Sequence, residues 1–361
     1  SLVIPMDTGE SAALVRSPLS PPSEISSRTR GVGVPLPPIA RCFQLLDVPA
    51  EYHCHPTLAE HSRARGSGQS RSRARHYDAI FLQKVPLPSP FLSVLKTQCE
   101  THIYDFDDAI YATPPWKERP GIWNRLLIQT LSHSQLAITG SPALSDYAAQ
   151  FCERTVCLPT ALPADDYERA REQRDRGDAD TVTIGWIGNP ENLHYLASIA
   201  EPLADVLDAH SEAQLLVITA GDLPVTPLEH RADVTYREWT LDSELDSLSE
   251  ADIGIRPLFD DEWTRGKGGY TSVVQTMALG IPVVVTPVSM LADIVEDGVS
   301  GLHAETDEEW IDSLSTLIDD GSRRLAMGEN ALDRVDELDF WTASRAEEFV
   351  DLLQSIETKC H

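Results

Sequence analysis

From Thr181 onward the chain alternates short apolar runs with amphipathic stretches, and this alternation constrains the fold more than any other feature. TVTIGWI (Thr181–Ile187) is a β-rich run closed by the turn signal Gly188-Asn189-Pro190, and a helical stretch follows over Leu193–His210. Leu215–Thr219, Val234–Trp239, Asp252–Ile255 and Pro282–Thr286 read as further strands. Asp242–Glu250, Tyr270–Leu279, Leu291–Glu296, Glu308–Asp319 and Arg323–Leu338 read as helices between and after them. In Tyr270–Leu279 the apolar residues Tyr270, Val273, Val274, Met277 and Ala278 recur at helical spacing, and Gly280 ends the run. Apolar strands that do not alternate in polarity belong to a parallel sheet covered on both faces. Ligands of such sheets bind at the carboxyl ends of the strands.

The first half repeats the theme less cleanly. Strands are expected at Ala79–Leu82, His102–Phe106, Leu136–Thr139 and Val156–Leu158, and helices at Pro90–Cys99, Ile122–His133 and Pro142–Phe151. Residues 16–40 hold six prolines and read as irregular. The expected architecture is two doubly wound, Rossmann-like α/β domains facing each other across a cleft: residues 1–161, a charged linker over 162–180, residues 181–339, and a terminal helix in 340–361.

Charge divides the chain at the same place. Its 361 residues carry 29 Lys+Arg against 57 Asp+Glu, a net of -28. Residues 1–160 hold 15 basic and 14 acidic side chains, and residues 161–361 hold 14 and 43. That balance excludes a general nucleic-acid binder. Only five basic residues are lysine, which predicts a protein from a halophile that accumulates salt, a reading that full stability in dilute buffer overturns. The six cysteines show no C-x-x-C spacing and read as reduced thiols. No run of about 18 apolar residues suggests a membrane span, and no signal-peptide pattern opens the chain, so a cytoplasmic protein is expected.

The densest chemical signal is Arg256–Gly280, where Arg265-Gly266-Lys267-Gly268-Gly269 leads into the helix that begins at Tyr270. Glycines let a backbone approach a ligand closely, and free N–H groups at a helix start attract anions. Two cations beside them make a diphosphate site that requires neither a metal nor another cofactor. In the first half, Asp105, Asp107 and Asp108 cluster at the end of a strand. They read either as groups that orient or deprotonate a hydroxyl or as turn and cap carboxylates. Asp105-Phe106-Asp107 also has D-x-D metal spacing, which would duplicate the cationic neutralisation. His53, Cys54, His55 and His61 suggest zinc, but no fourth ligand completes the set. Trp186, Trp239 and Trp263 fit either a cleft lining or ordinary packing.

The stretches TIGWIGNPENLHYL, ADIGIRPLFDDEWTRGKGGY, QTMALGIPVVVTPVSMLADIVEDGVSGLHA and EEWIDSL stand in the order of the group 1 glycosyltransferases of the GT-B fold, which this half resembles. SSRTR (Ser26–Arg30), YDAIFLQKVPL (Tyr77–Leu87) and YDFDDAIY (Tyr104–Tyr111) extend the resemblance more weakly into the first half. It implies a retaining transfer of sugar from a nucleotide-sugar donor to a glycan or lipid-linked acceptor. It also implies that Gly188 meets the donor diphosphate, that Arg265, Lys267, Gly268, Gly269 and Tyr270 surround that diphosphate, and that Gln275 approaches the ribose. Many members carry two glutamates where this chain has Lys267 and Gln275. That departure keeps open a non-catalytic nucleotide-sugar-binding subunit supporting another transferase, and a nucleotide-sugar epimerase is a third reading. The basic tract Arg63–Arg75 fits contact with an anionic membrane or a solvated loop, and liposome sedimentation separates the two.

Overall fold

The computed structural model describes residues 42–45, 79–97, 99, 101–114, 121–174, 181–221 and 225–356. Ser26–Arg30, His53, Cys54, His55, His61 and Arg63–Arg75 lie outside the described residues. The chain divides into two compact units, residues 1–160 with 344–361, and residues 161–343.

The first unit is built on a parallel sheet of β1 (Cys42–Leu45), β2 (Ala79–Gln83), β3 (His102–Phe106), β4 (Leu136–Thr139) and β5 (Thr155–Cys157), in that spatial order. Between the strands run α1 (Ser89–Lys96), α2 (Ile122–His133) and α3 (Pro142–Ala148). β3 and β4 are buried along their whole length, and in β3 that burial includes the polar side chains of His102 and Asp105.

The second unit opens with α4 (Ala164–Gln173) and β6 (Val182–Ile187). A 3₁₀ turn at Pro190–Asn192, α5 (Leu193–Ala197), α6 (Ala200–Ala209), β7 (Ala213–Thr219) and β8 (Val234–Glu238) follow. Next come α7 (Glu244–Leu248), β9 (Ile253–Arg256), α8 (Glu262–Lys267), α9 (Thr271–Ala278) and β10 (Val283–Val285). The unit closes with α10 (Met290–Ile294), β11 (Gly301–His303), α11 (Asp307–Asp319) and α12 (Gly321–Glu337). All its strands are parallel, in the order β11-β10-β9-β6-β7-β8.

The period of two along each strand sorts the core into two layers. Ile184, Trp186, Leu215, Val217, Ile253 and Ile255 pack against α5, α6 and α11. Ile187, Leu216, Ile218, Val283 and Val285 face α4, α9 and α12. α9 lies especially close to the sheet because β9 has a glycine beneath it. A Cβ on Gly254 would stand 2.5 Å from Thr276 Cγ2 and 3.1 Å from Val283 Cγ1.

Helix forms both in the stretch read as a linker and in the stretch read as a terminal helix. Part of the stretch 162–180 is α4, whose surface is too polar to show a helical apolar stripe. Tyr167 alone is buried there, while Arg171 Nη1 donates to the Ala278 carbonyl at 2.6 Å and Arg174 Nε to the Ser249 carbonyl at 2.9 Å. The last helix, α13 (Thr342–Gln354), returns to the first unit. Leu352 and Leu353 join Ala79, Ile103, Leu136, Ile138 and Leu158 in its core, and Phe349 meets Phe81 edge-on at 6.0 Å.

Candidate functional site

In the second unit the strand order reverses between β6 and β9, and a doubly wound sheet opens its ligand crevice at the carboxyl ends of such a pair. Gly188 follows β6 directly, and its N–H donates to the Ile218 carbonyl at 3.1 Å. The turn packs against the indole of Trp186, which is wholly buried. A Cβ at Gly188 would stand 2.7 Å from Trp186 Cη2, so only glycine fits between the ring and whatever occupies the crevice.

The other wall is the corner between α8 and α9. Asp261 caps α8 by accepting from the Thr264 N–H at 2.7 Å. Arg265 and Lys267 lie in the last turn of that helix, where the sequence reading had placed a glycine loop. Gly268 (φ 80°) and Gly269 (φ 60°) then take left-handed conformations in succession, which glycine alone adopts without strain. The chain turns sharply, Tyr270 becomes the N-cap of α9, and α9 runs back along the sheet to β10. A parallel crossover of this kind sets the start of α9 at the carboxyl edge of the strands, with its free N–H groups beside β9.

The predicted donor residues are unequal in this arrangement. Arg265 lies largely in solvent and is held by both carboxylate oxygens of Asp260, at 2.5 and 2.6 Å. The guanidinium in turn keeps the Asp260 carboxyl below the usual range. Lys267 Nζ stands 5.9 Å from the centre of the Trp263 ring. The ring of Tyr270 is buried in the core, 5.8 Å from Phe340, and its backbone forms the helix cap. Gln275 donates through Nε2 to Glu244 Oε1, and Glu244 Oε2 accepts from Trp239 Nε1 at 2.6 Å. The Tyr167 hydroxyl shares a hydrogen bond with Gln275, and burial drives its pKa upward. Gln275 is therefore one member of a polar chain from Tyr167 to Trp239.

Arg256, the last residue of β9, was missed in the sequence as a site residue. It is 7 % exposed, and its Nε has no hydrogen-bond partner among the described residues. Burial pulls its pKa down to about 10. The signal available was an arginine closing a fully buried strand, IGIR. Glu244 had no signal at all, since it becomes a partner of Gln275 only through tertiary packing.

In the first unit the three aspartates have separate surroundings. Asp105 ends β3 buried, accepts from Gln83 Nε2 at 2.9 Å, and is pushed up to about 6 by burial. Asp107 pairs with Lys84 Nζ at 3.3 Å. The Asp108 carbonyl accepts from the Ile110 N–H at 2.7 Å and stabilises the following turn. Lys84 is itself in the left-handed region (φ 59°), fixed by its N–H to the Asp105 carbonyl and by the Tyr104 hydroxyl to its own carbonyl. The aspartates do not bring three metal-ligating atoms together. Among the described residues only His210, Glu212 and Asp319 do so, within 4.8 Å, at the surface. No helix among them is long and apolar enough to cross a membrane.

A pair of parallel Rossmann-like sheets, one with its switch point lined by Gly188 and the α8–α9 corner, defines a protein of the GT-B fold. Residues 180–320 match the family model described as Glycosyl transferases group 1. A D-inositol 3-phosphate glycosyltransferase of Corynebacterium kroppenstedtii is 24% identical over 205 residues, 51% of this chain and 43% of that protein. The enzyme of the same name from Corynebacterium jeikeium is 28% identical over 210 residues, 52% of this chain and 49% of that protein. The chain thus spans somewhat under half the length of these relatives. Among solved structures, sucrose-phosphate synthase from Thermosynechococcus elongatus is similar with a TM-score of 0.61 and 17% identity, over 94% of this chain and 86% of that one. HepE of Anabaena in complex with UDP and glucose is similar with a TM-score of 0.58 and 16% identity, over 80% of each chain. At these identities the structures speak for the fold.

Proposed function

We propose that this chain transfers a sugar from a nucleoside-diphosphate donor to a hydroxyl of a glycan or lipid-linked acceptor. The observation that carries the reading is the crevice between the Gly188 turn and the Gly268-Gly269 corner, at the switch point and inside the region that matches group 1 glycosyl transferases. The relatives named as glycosyltransferases and the neighbour bound to UDP support a nucleotide-sugar donor.

The donor diphosphate lies against the Gly188 turn, the backbone of Gly268, Gly269 and Tyr270, and the free N–H groups at the start of α9. Lys267 neutralises charge as the diphosphate leaves, and Arg265 joins it from the rim by exchanging Asp260 for phosphate. Gln275, oriented by Glu244, receives the ribose. Cationic neutralisation makes the reaction independent of a divalent metal. On the acceptor side Asp105 is the general base, since a carboxyl with a pKa of about 6 is mostly ionised at pH 7 and still basic enough to take a proton. Asp107 and Asp108 hold the loop that presents it. The acceptor oxygen bonds to the anomeric carbon, the carbon–phosphate oxygen bond breaks, the electron pair leaves with the diphosphate, and the acceptor proton passes to Asp105. The acceptor approaches the anomeric carbon from the face that the diphosphate leaves, after the carbon–oxygen bond has largely broken, and this front-face path retains the anomeric configuration.

Thermal shift with UDP, GDP, dTDP and ADP, followed by product analysis with the matching nucleotide sugars, tests this reading. One nucleotide should raise the melting temperature, with or without EDTA, and Lys267→Ala should weaken that shift. Stabilisation by none of the four, binding without turnover by the purified chain, or isomerisation of the sugar without an acceptor overturns it.

A further inference from the structure

Arg256 has surroundings that make no sense without a ligand. An arginine remains charged even when buried, and a buried charge is normally paired or saturated with hydrogen bonds. Here Nε is unpartnered, and the neighbouring Tyr195 is a phenol whose pKa burial raises, so it brings no charge to offset the guanidinium. The Tyr195 hydroxyl is occupied by Thr264 Oγ1 at 3.0 Å.

The opposite wall adds positive potential. A Cβ on Gly269 would stand 2.9 Å from Leu258 Cδ1 and 3.9 Å from Arg256 Nη2, so the guanidinium lies beside Leu258 near the glycine corner, one residue before the N-cap of α9. The amino end of a helix carries a partial positive charge and free N–H donors. Buried arginine and helix start therefore reinforce each other at one point, within a stretch (residues 161–361) that has 43 acidic and 14 basic side chains. An anion in that position satisfies both. Arg265, by contrast, already has a bidentate carboxylate partner in solvent.

We propose that Arg256 is the buried residue that binds phosphate in this crevice, gripping one phosphoryl group of a diphosphate against the start of α9, and that it contributes more to affinity for that group than Arg265 does. The inference rests on the donor-site reading above and adds to it the residue that reads the anion. Arg256 is a fixed cation inside a dry wall, so the phosphate it binds has to shed its water. Its contribution should also be screened by salt far less than that of an exposed cation.

Calorimetric titration in concentrated KCl tests it, using inorganic pyrophosphate, the nucleoside diphosphate that stabilises the wild type, and the corresponding nucleoside. Arg256→Gln should lose tenfold or more of the affinity for pyrophosphate and for the diphosphate, with nucleoside affinity within twofold of wild type. Arg265→Gln should lose less. Arg256→Met separates binding from packing. If the guanidinium waits for an anion, this variant melts no lower than wild type without ligand and loses the pyrophosphate-induced shift. Wild-type diphosphate affinity in Arg256→Gln, or a larger loss in Arg265→Gln, overturns the proposal. So does an Arg256→Met protein that melts well below wild type yet keeps its pyrophosphate shift. If the wild type binds pyrophosphate through Arg256 but none of the nucleotides, the donor reading fails and the anion site stands. If it binds a nucleotide that Arg256→Gln binds equally well, the reverse holds.

Discussion

Gly254→Ala tests whether the approach of α9 to the sheet shapes the crevice. The added Cβ would meet Thr276 Cγ2 at 2.5 Å and Val283 Cγ1 at 3.1 Å, both in the packed interior. Thr276 cannot rotate away freely, because its Oγ1 donates to the Ser272 carbonyl at 2.8 Å within α9. The helix must lift, and overpacking of this kind costs about 1–3 kcal/mol. In a unit of this size each kcal/mol lowers the melting temperature by about 2–4 °C. Thr276→Ser removes the clashing methyl and keeps the hydroxyl; alone it should cost about 1 kcal/mol for the lost methyl and its small cavity. In the double variant the next contacts are Thr276 Cβ at 3.4 Å, which is ordinary packing, and Val283 Cγ1 at 3.1 Å, which still has to give slightly. The two changes should therefore compensate, with a coupling of about 1–2 kcal/mol between sites in direct contact. Scanning calorimetry of the four proteins reads this, and nucleotide titration should show the affinity lost in Gly254→Ala returning in the double variant. Strict additivity would refute the contact as the cause, and affinity that ignores the lifted helix would refute the link between packing and site.

Asp105→Asn should lower turnover by about 10²–10⁴-fold and abolish the acidic limb of the pH–kcat/KM profile. In the parent that limb should fall below a pH of about 6. The same carboxyl has a folded pKa above its unfolded value, so its stabilising effect is complete below the unfolded pKa and is lost as pH rises through about 6. Asp105→Asn should remove that slope in a pH series of melting temperatures. Gln275→Glu sets a second carboxylate against Glu244 and should lower the melting temperature at pH 8 more than at pH 5, with Glu244→Gln restoring it. Leu353→Ala should destabilise the first unit by about 2–3 kcal/mol, visible in calorimetry of the full chain as a lower transition for that unit, because the side chain lies in its core.

The central strands of the second unit were legible because they are buried on both faces, and apolar runs such as LLVIT have no other home in a chain of this kind. Gly188 was legible for a related reason, as a turn glycine at a strand end. α4 escaped because its anchoring depends on one tyrosine and two arginines that reach distant carbonyls. Asp105, Asp107 and Asp108 look equivalent in sequence, and only burial separates the first from the others. The glycine loop read over Arg265–Gly269 was right in its corner and wrong in its start, because Asp261 caps a short helix that carries both cations.

The return of α13 to the first unit reverses the usual order of assembly on the ribosome. The second unit is covalently an insertion within the first, so the sheet of the first unit emerges early but lacks Leu352 and Leu353 until the second unit has been made. At about 5–20 residues per second, translating residues 161–361 takes roughly 10–40 s. Throughout that interval the uncovered patch beside Ala79, Ile103 and Leu136 is a surface for chaperones to guard. The acidic unit made second is then the first that can finish folding, and a ribosome stalled before α13 leaves the earlier unit unfinished.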